Sequence, residues 1–402
     1  MVSIPLEKAE QQPEWEDPSQ VQRARETLAG RPGLVDVHDV ESLRAHLAQV
    51  SAGAAEVVQA GDCAEDPAEC SASDVARKVA VLDLLAGAMK LAGRRPVLRA
   101  GRIAGQFAKP RSRPTEHLGD LELPVFRGHL VNGPEPEPDA RVPDPLRLVT
   151  GYMAAADIMA HLGWGRPDGM EHPVWTSHEA LVLDYELPLL RRTADGRLLL
   201  ASTHWPWIGE RTRRIDGPHV ALLAQVLNPV AVKVGPGIGT DELLALCGLL
   251  DPEHRPGRLT LIVRMGAEAV TERLPALVRA VRSAGHPVVW LVDPMHGNTV
   301  VTQSGYKTRY VRTLQREVRA FRAVLAEEGA FPGGVHLETT PDQVTECVLD
   351  EWDADRVGKV YTSFCDPRLT VDQALEVLEA WTAIPSPVMP AETAAERQAT
   401  GG

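Results

Sequence analysis

Nothing in this chain of 402 residues is apolar for the roughly 20 consecutive residues that a membrane-crossing helix needs. Its start, MVSIPLEKAEQQ, lacks the charged-then-apolar layout of a secretory signal, and the expectation is a cytoplasmic protein. A Cys-x-x-Cys pair is missing, and the five cysteines are odd in number. This argues against a disulfide framework and for a reducing compartment. There is no basic excess either: 42 Lys and Arg stand against 55 Asp and Glu, a formal charge of −13. A broad phosphate-backbone-binding face, and so a nucleic-acid partner, is thereby disfavoured. No internal repeat appears.

What is present is enough apolar material, 44% of residues, for one large core. Eight apolar segments each run into a polar or metal-competent residue. They are VVQAGDC ending at Cys63, PVLRAGR at Arg102, LLLASTHW ahead of Glu210 and Arg211, PVAVKVGP around Lys233, LTLIVRMG at Arg264, PVVWLVDPMH at His296, GVHLETT at Glu338 and KVYTSFCD at Asp366. Each reads as a short buried strand. Strands alternating with helical stretches predict a parallel sheet, and eight predict an α/β fold of the closed (β/α)8, or TIM-barrel, kind. In such barrels chemistry sits at the C-terminal ends of strands, where all these residues fall.

Residues 1–50 are expected to form an N-terminal extension with pre-barrel helices at VQRARETLAG and VESLRAHLAQV, and Trp15 to serve as an aromatic anchor. Residues 51–385 are expected to form the catalytic barrel, and 386–402 a disordered tail. A long insertion is expected between strands 2 and 3, from Ile103 to about Arg197. It contains the Pro- and acid-rich GHLVNGPEPEPDARVPDP, read as an exposed loop, and the helical runs LVTGYMAAADIMAHL and SHEALVLDYELPLLRR. The SHEALVLDYE segment could place Glu179 or Glu186 near the barrel mouth, but helix-surface carboxylates are the preferred reading.

Two constellations carry chemistry. Cys63, His296, Glu338 and Asp366 offer sulfur, nitrogen and oxygen donors of the kind that suits a divalent transition metal, with Mn, Co, Fe and Zn all open. Cys365 adjoins Asp366, so its sulfur is expected near Cys63. Arg102, Lys109, Arg111, Arg211, Lys233 and Arg264 form a phosphate and carboxylate cradle, because guanidinium forks and a compact ammonium suit those anions. A lysine inside PVAVKVGP needs an anionic partner. A Schiff-base role for Lys233 stays open beside carbonyl polarisation by a metal.

QAGDCAE, RIAGQFAKPRS, SHEALVLDYE, WIGERTR, DPMHGNT with SGYKTR, GGVHLETTPDQVTEC and CDPRL stand in one order from Trp15 to about Leu369. In these strings the chain resembles the class II (plant-type) 3-deoxy-D-arabino-heptulosonate 7-phosphate (DAHP) synthases. The resemblance implies a metal-dependent condensation of phosphoenolpyruvate with erythrose 4-phosphate, releasing phosphate, at the first step of the shikimate pathway. It implies metal ligation by Cys63, His296, Glu338 and Asp366, with Mn2+ or Co2+ ahead of Fe2+ or Zn2+. Arg102, Glu210, Arg211, Lys233 and Arg264 are then placed around phosphoenolpyruvate, and Lys109, Arg111 and Ser112 along the erythrose 4-phosphate route. Catalytic assistance falls to Lys109, Lys233, His296 or Glu210. A homodimer and a chorismate mutase partner are further implications. Many relatives have a longer N-terminal region and extra helices between strands 2 and 3. The shorter connection here implies weak aromatic feedback and a place in secondary metabolism of the phenazine kind. An amino-sugar variant of the same condensation, a metal-dependent barrel hydrolase and a non-catalytic homologue are the alternatives; the hydrolase would need paired histidines where QAGDCAE has a cysteine.

Overall fold

A computed structural model describes residues 4–118, 121–164 and 174–382; the expected tail at 386–402 lies outside the described residues. Eight parallel strands close into a barrel. They are β1 (Glu56–Gly61), β2 (Val97–Arg102), β3 (Trp175–Glu179), β4 (Trp205–Ile208), β5 (Val230–Val234), β6 (Leu259–Val263), β7 (Val289–Val292) and β8 (Pro332–Glu338). Each pairs with its sequence neighbours, and β1 closes the ring on β8 with Val57 opposite Gly334. VAVKV of β5 and LTLIV of β6 are buried at every position, as expected for strands covered on both faces.

The interior has two halves. In the lower half, Leu43, Leu47 and Val50 pack with Val57, Ala100, Trp205, Ile262 and Leu291. The first three come from the pre-barrel helix Val37–Ser51, whose start is fixed by a reciprocal Asp36–Asp39 capping box. That helix plugs the N-terminal end of the barrel. In the upper half the inward residues turn polar: Gln59, Arg102, Lys233, His336 and Glu338 are all buried. The other pre-barrel helix, Pro18–Ala29, starts on Asp17 with proline in its first turn. Trp15 is the expected anchor, half-buried against the core with its Nε1 donating to Asp184 Oδ2 at 2.6 Å.

Four expectations are corrected. The segment KVYTSFCD is not a strand. The backbone N–H groups of Thr362 and Ser363 donate to the Glu346 carboxylate at 3.0 and 2.8 Å, so a buried side chain takes the place of a ladder partner. The true third strand is WTSHE, which carries no apolar run. Thr176, Ser177 and His178 are buried there with hydrogen-bond partners, Ser177 Oγ donating to Gly101 O at 2.8 Å and receiving Gln59 Nε2 at 3.0 Å. LLLASTHW divides: Leu198–Leu200 forms a two-stranded antiparallel piece with Leu190–Arg192, and the barrel strand begins at Trp205. The insertion between β2 and β3 therefore ends before Trp175, and its Pro-rich loop is only partly exposed, since Leu130 to Gly133 and Arg141 are buried. Arg141 pairs there with Glu116 at 2.5 Å.

Candidate active site

Because β1, β7 and β8 are neighbours in the ring, their ends bring three distant sequence segments together. Glu338 is the last residue of β8, Cys63 follows β1 by two residues, His296 lies in the loop after β7, and Asp366 lies in the loop after β8. Donor atoms of Cys63, Glu338 and Asp366 fall within 4.8 Å of one another. His296 Nε2 is 3.1 Å from Glu338 Oε1, and its Nδ1 meets Asp293 Oδ2 at 2.7 Å. That second contact orients the ring in the way carboxylates orient metal-binding imidazoles. All four predicted ligands are thus brought together.

The donor set already attracts a cation from within the chain. Lys109 Nζ lies 2.7 Å from Cys63 Sγ, 2.9 Å from Glu338 Oε1, 2.9 Å from Asp366 Oδ2 and 3.4 Å from His296 Nε2. Arg102 and Arg309 also pair with Glu338, at 2.9 and 2.7 Å, and Lys307 pairs with Asp366 at 2.9 Å. Two oxygens, an imidazole nitrogen and a sulfur converging where a positive charge sits fit a divalent transition metal.

Charge in this pocket is set by competition between burial and partners. Burial opposes ionisation of Glu338, but His296, Lys109 and the two arginines outweigh it and hold the carboxyl well below its ordinary range. Asp366 is depressed in the same sense, chiefly by Lys109. Burial, the bond its S–H donates to Cys365 and the Glu338 charge push the Cys63 thiol well up. The Cys365 sulfur is therefore beside Cys63 as expected, and Arg111 Nη1 donates to it at 3.4 Å.

Beside the ligand cluster opens a cavity of about 700 Å³. Every predicted cradle residue lines it: Arg102, Lys109, Arg111, Ser112, Glu210, Arg211, Lys233 and Arg264, together with His296 and Asp366. Lys233 has the anionic partner its burial demands, Asp293. Burial, with the Arg102 and Arg264 charges, still brings its ammonium down to about 8. Glu210 lines the cavity and also braces its wall: Oε2 accepts Gly235 N at 2.8 Å and Oε1 accepts Arg213 at 2.9 Å. Arg211 reaches across to Ser112 Oγ. Arg264 donates to the His296 carbonyl at 2.7 Å.

Several residues here are not flagged by apolar runs. Glu179 is a correction, because it ends β3 and lines the cavity rather than a helix surface. Its Oε1 is buried without a hydrogen-bond partner, and burial raises its carboxyl above the ordinary range. Gly209 faces it so closely that a Cβ there would lie 2.0 Å from that oxygen. Glu186 is also a correction, being buried and bonded to His178 at 2.9 Å and Ser202 at 2.6 Å. Lys307 and Arg309 sit in SGYKTR, but their pairing with acids at the ends of other segments is a product of closure.

A family model described as the class-II DAHP synthetase family matches residues 3–172 and 165–381. A probable phospho-2-dehydro-3-deoxyheptonate aldolase of Pseudomonas fluorescens is 56% identical over 384 residues, covering 94% of this chain and 96% of that protein. Phospho-2-dehydro-3-deoxyheptonate aldolases of Streptomyces coelicolor and Mycolicibacterium smegmatis are 38% and 37% identical, each covering 92% of this chain and 93% and 91% of their own lengths. Among solved structures, an aldolase of the same name from Francisella tularensis superposes with a TM-score of 0.52 at 13% identity, over 89% of this chain and 95% of that one; it supports the barrel fold alone. With the metal-competent cluster, the cation-lined cavity and near full-length identity to these relatives, the chain belongs to the class-II DAHP synthetase family.

Proposed function

We propose that this enzyme condenses phosphoenolpyruvate with erythrose 4-phosphate to give DAHP and phosphate, the entry reaction of the shikimate pathway. The observation that carries this reading is the juxtaposition of the Cys63, His296, Glu338 and Asp366 donors with a cavity lined by Arg102, Arg211, Lys233 and Arg264. A divalent cation held by those four donors, Mn2+ or Co2+ before Fe2+ or Zn2+, would polarise the aldehyde of the sugar phosphate. Lys233, Arg264 and Arg211 bind the phosphate and carboxylate of phosphoenolpyruvate, and Arg111 and Ser112 bind the phosphate of the aldose. C3 of phosphoenolpyruvate attacks the aldehyde, water adds at C2, and phosphate leaves the tetrahedral carbon. Lys109 stands at the ligand cluster with protons to give and neutralises the new alkoxide. Glu179, with an unpartnered oxygen facing the cavity, receives the proton from the attacking water.

Alignments of 420 and 426 positions with the two more distant relatives exceed the 402 residues of this chain, so those relatives carry stretches absent here. This supports weak aromatic feedback and a role in secondary metabolism of the phenazine kind, and strong inhibition by saturating Trp plus Phe would refute it. The homodimer, a chorismate mutase partner and cytoplasmic residence belong to the same reading, and sedimentation of the protein with and without a mutase tests the first two. The deciding experiment follows phosphoenolpyruvate in chelator-stripped protein with erythrose 4-phosphate, with and without Mn2+. Metal-dependent loss with equal phosphate release is expected; no loss with any divalent metal under reducing conditions overturns the function.

A further inference from the structure

The helix Val311–Glu327 buries an apolar stripe of Val311, Leu314, Val318, Phe321 and Leu325. Glu317 lies on that same face, fully buried. An acid there is costly unless both oxygens are bonded, and both are. Oε1 accepts Met265 N at 3.0 Å and Gly266 N at 2.8 Å; Oε2 accepts Asn298 Nδ2 at 2.6 Å. Asn298 completes the bracket, with Oδ1 accepting Ala267 N at 3.0 Å and Nδ2 also donating to Pro294 O at 2.7 Å. One carboxylate and one amide therefore tie the loop after β6 to the loop after β7.

Those loops meet backbone to backbone. Gly266 has φ of +85°, and a Cβ on Gly297 would lie 2.3 Å from Gly266 N, so neither glycine can be replaced without separating the loops. Arg264 rides on one loop and His296 on the other, and they touch through the 2.7 Å bond from Arg264 to the His296 carbonyl. Glu317 and Asn298 do not line the cavity; they act only through what they hold.

We infer that Glu317 and Asn298 are positioning residues that lock Arg264 and His296 into one rigid unit, so that metal binding and phosphoenolpyruvate binding are coupled through their bracket. This rests on the proposed assignment of His296 to the metal and Arg264 to phosphoenolpyruvate. A side chain loosened by a lost bracket misplaces its group, and partners of this kind typically change metal affinity or activity by about 10- to 100-fold.

The test measures Mn2+ affinity by chelator competition on substrate-free protein, and KM for each substrate, in Glu317→Gln. The amide presents a donor to the Asn298 donor, so the bracket opens. Expected is a weakening of Mn2+ affinity and a rise in KM for phosphoenolpyruvate, each about 10-fold or more, with KM for erythrose 4-phosphate unchanged. The paired variant Glu317→Gln with Asn298→Asp restores the donor–acceptor match between positions 317 and 298 while giving up the bond to Pro294 O, and moves both constants part of the way back toward wild type. Asn298→Ser, a milder cut, gives the same two shifts at smaller size should Glu317→Gln not fold. Unchanged Mn2+ affinity and phosphoenolpyruvate KM in a folded variant overturn the inference, as does an equal rise in both KM values without rescue, which would mark a merely structural acid. His296→Ala and Arg264→Ala serve as controls: if the first leaves Mn2+ affinity intact or the second leaves phosphoenolpyruvate KM intact, the site assignment itself fails.

Discussion

The two ends of the same eight strands hold opposite kinds of core. At the N-terminal end, Leu43, Leu47 and Val50 plug the barrel among Val57, Ile262 and Leu291, and stability there is area removed from water, about 25 cal/mol per Å². At the C-terminal end, Arg102, Lys109, Arg309 and His296 surround Glu338, all within hydrogen-bonding reach of it. Buried ion pairs of that sort often break even in stability against apolar replacements. The lower half therefore supplies rigidity, and the upper half uses it to keep charges desolvated and aimed. The same division is seen within single strands: Val57 in β1 faces the plug while Gln59 bonds His336 at 2.7 Å near the mouth.

Removing the centre of the upper half should have the largest effect. Glu338→Ala leaves Arg102, Lys109 and Arg309 buried around a lost acid, so about 3–5 kcal/mol of stability is expected to go, together with metal binding; denaturant midpoints and chelator competition report both. In the plug, Leu47→Ala should cost about 2–5 kcal/mol yet leave the phosphoenolpyruvate KM of the folded fraction unchanged, and a KM shift would break the division between the two ends. Glu179→Gln sharpens it from the other side. It removes an ionisable group at the mouth whose burial opposes its charge, so kcat should fall by about 100-fold with no loss of thermal midpoint. The smallest effect is on pH dependence. Lys233 is held at about 8, below its ordinary value, so it carries its positive charge below that pH and loses it above. The phosphoenolpyruvate KM should stay flat below pH 8 and rise above it. Lys233→Arg, which cannot lose its charge in this range, should abolish the rise.

Much of the site could be read before closure. Cys63, Arg102, Lys233, Arg264 and Glu338 end or interrupt runs of strongly apolar residues, and burial on both strand faces imposes that pattern. KVYTSFCD imitates the pattern but answers to Glu346, a side chain elsewhere in the chain. WTSHE conceals a strand because Thr176, Ser177 and His178 are buried with hydrogen bonds rather than with apolar surface, so no apolar run marks the strand that Glu179 ends. Glu317 carried a signal of another kind, an acid on the apolar stripe of a helix, whose meaning depends on which backbone donors lie across from it.

Sequence alone determined the α/β barrel class, the two pre-barrel helices and the chemical types of most residues that meet at the strand ends, because hydrophobic period is a local property. Tertiary structure alone decided which segments are the third and eighth strands, that Lys109 lies among the proposed metal ligands, and that one helix acid braces two loops. Those outcomes depend on distances between residues up to hundreds of positions apart, and Coulomb attraction and hydrogen bonding act across space with no trace in sequence spacing.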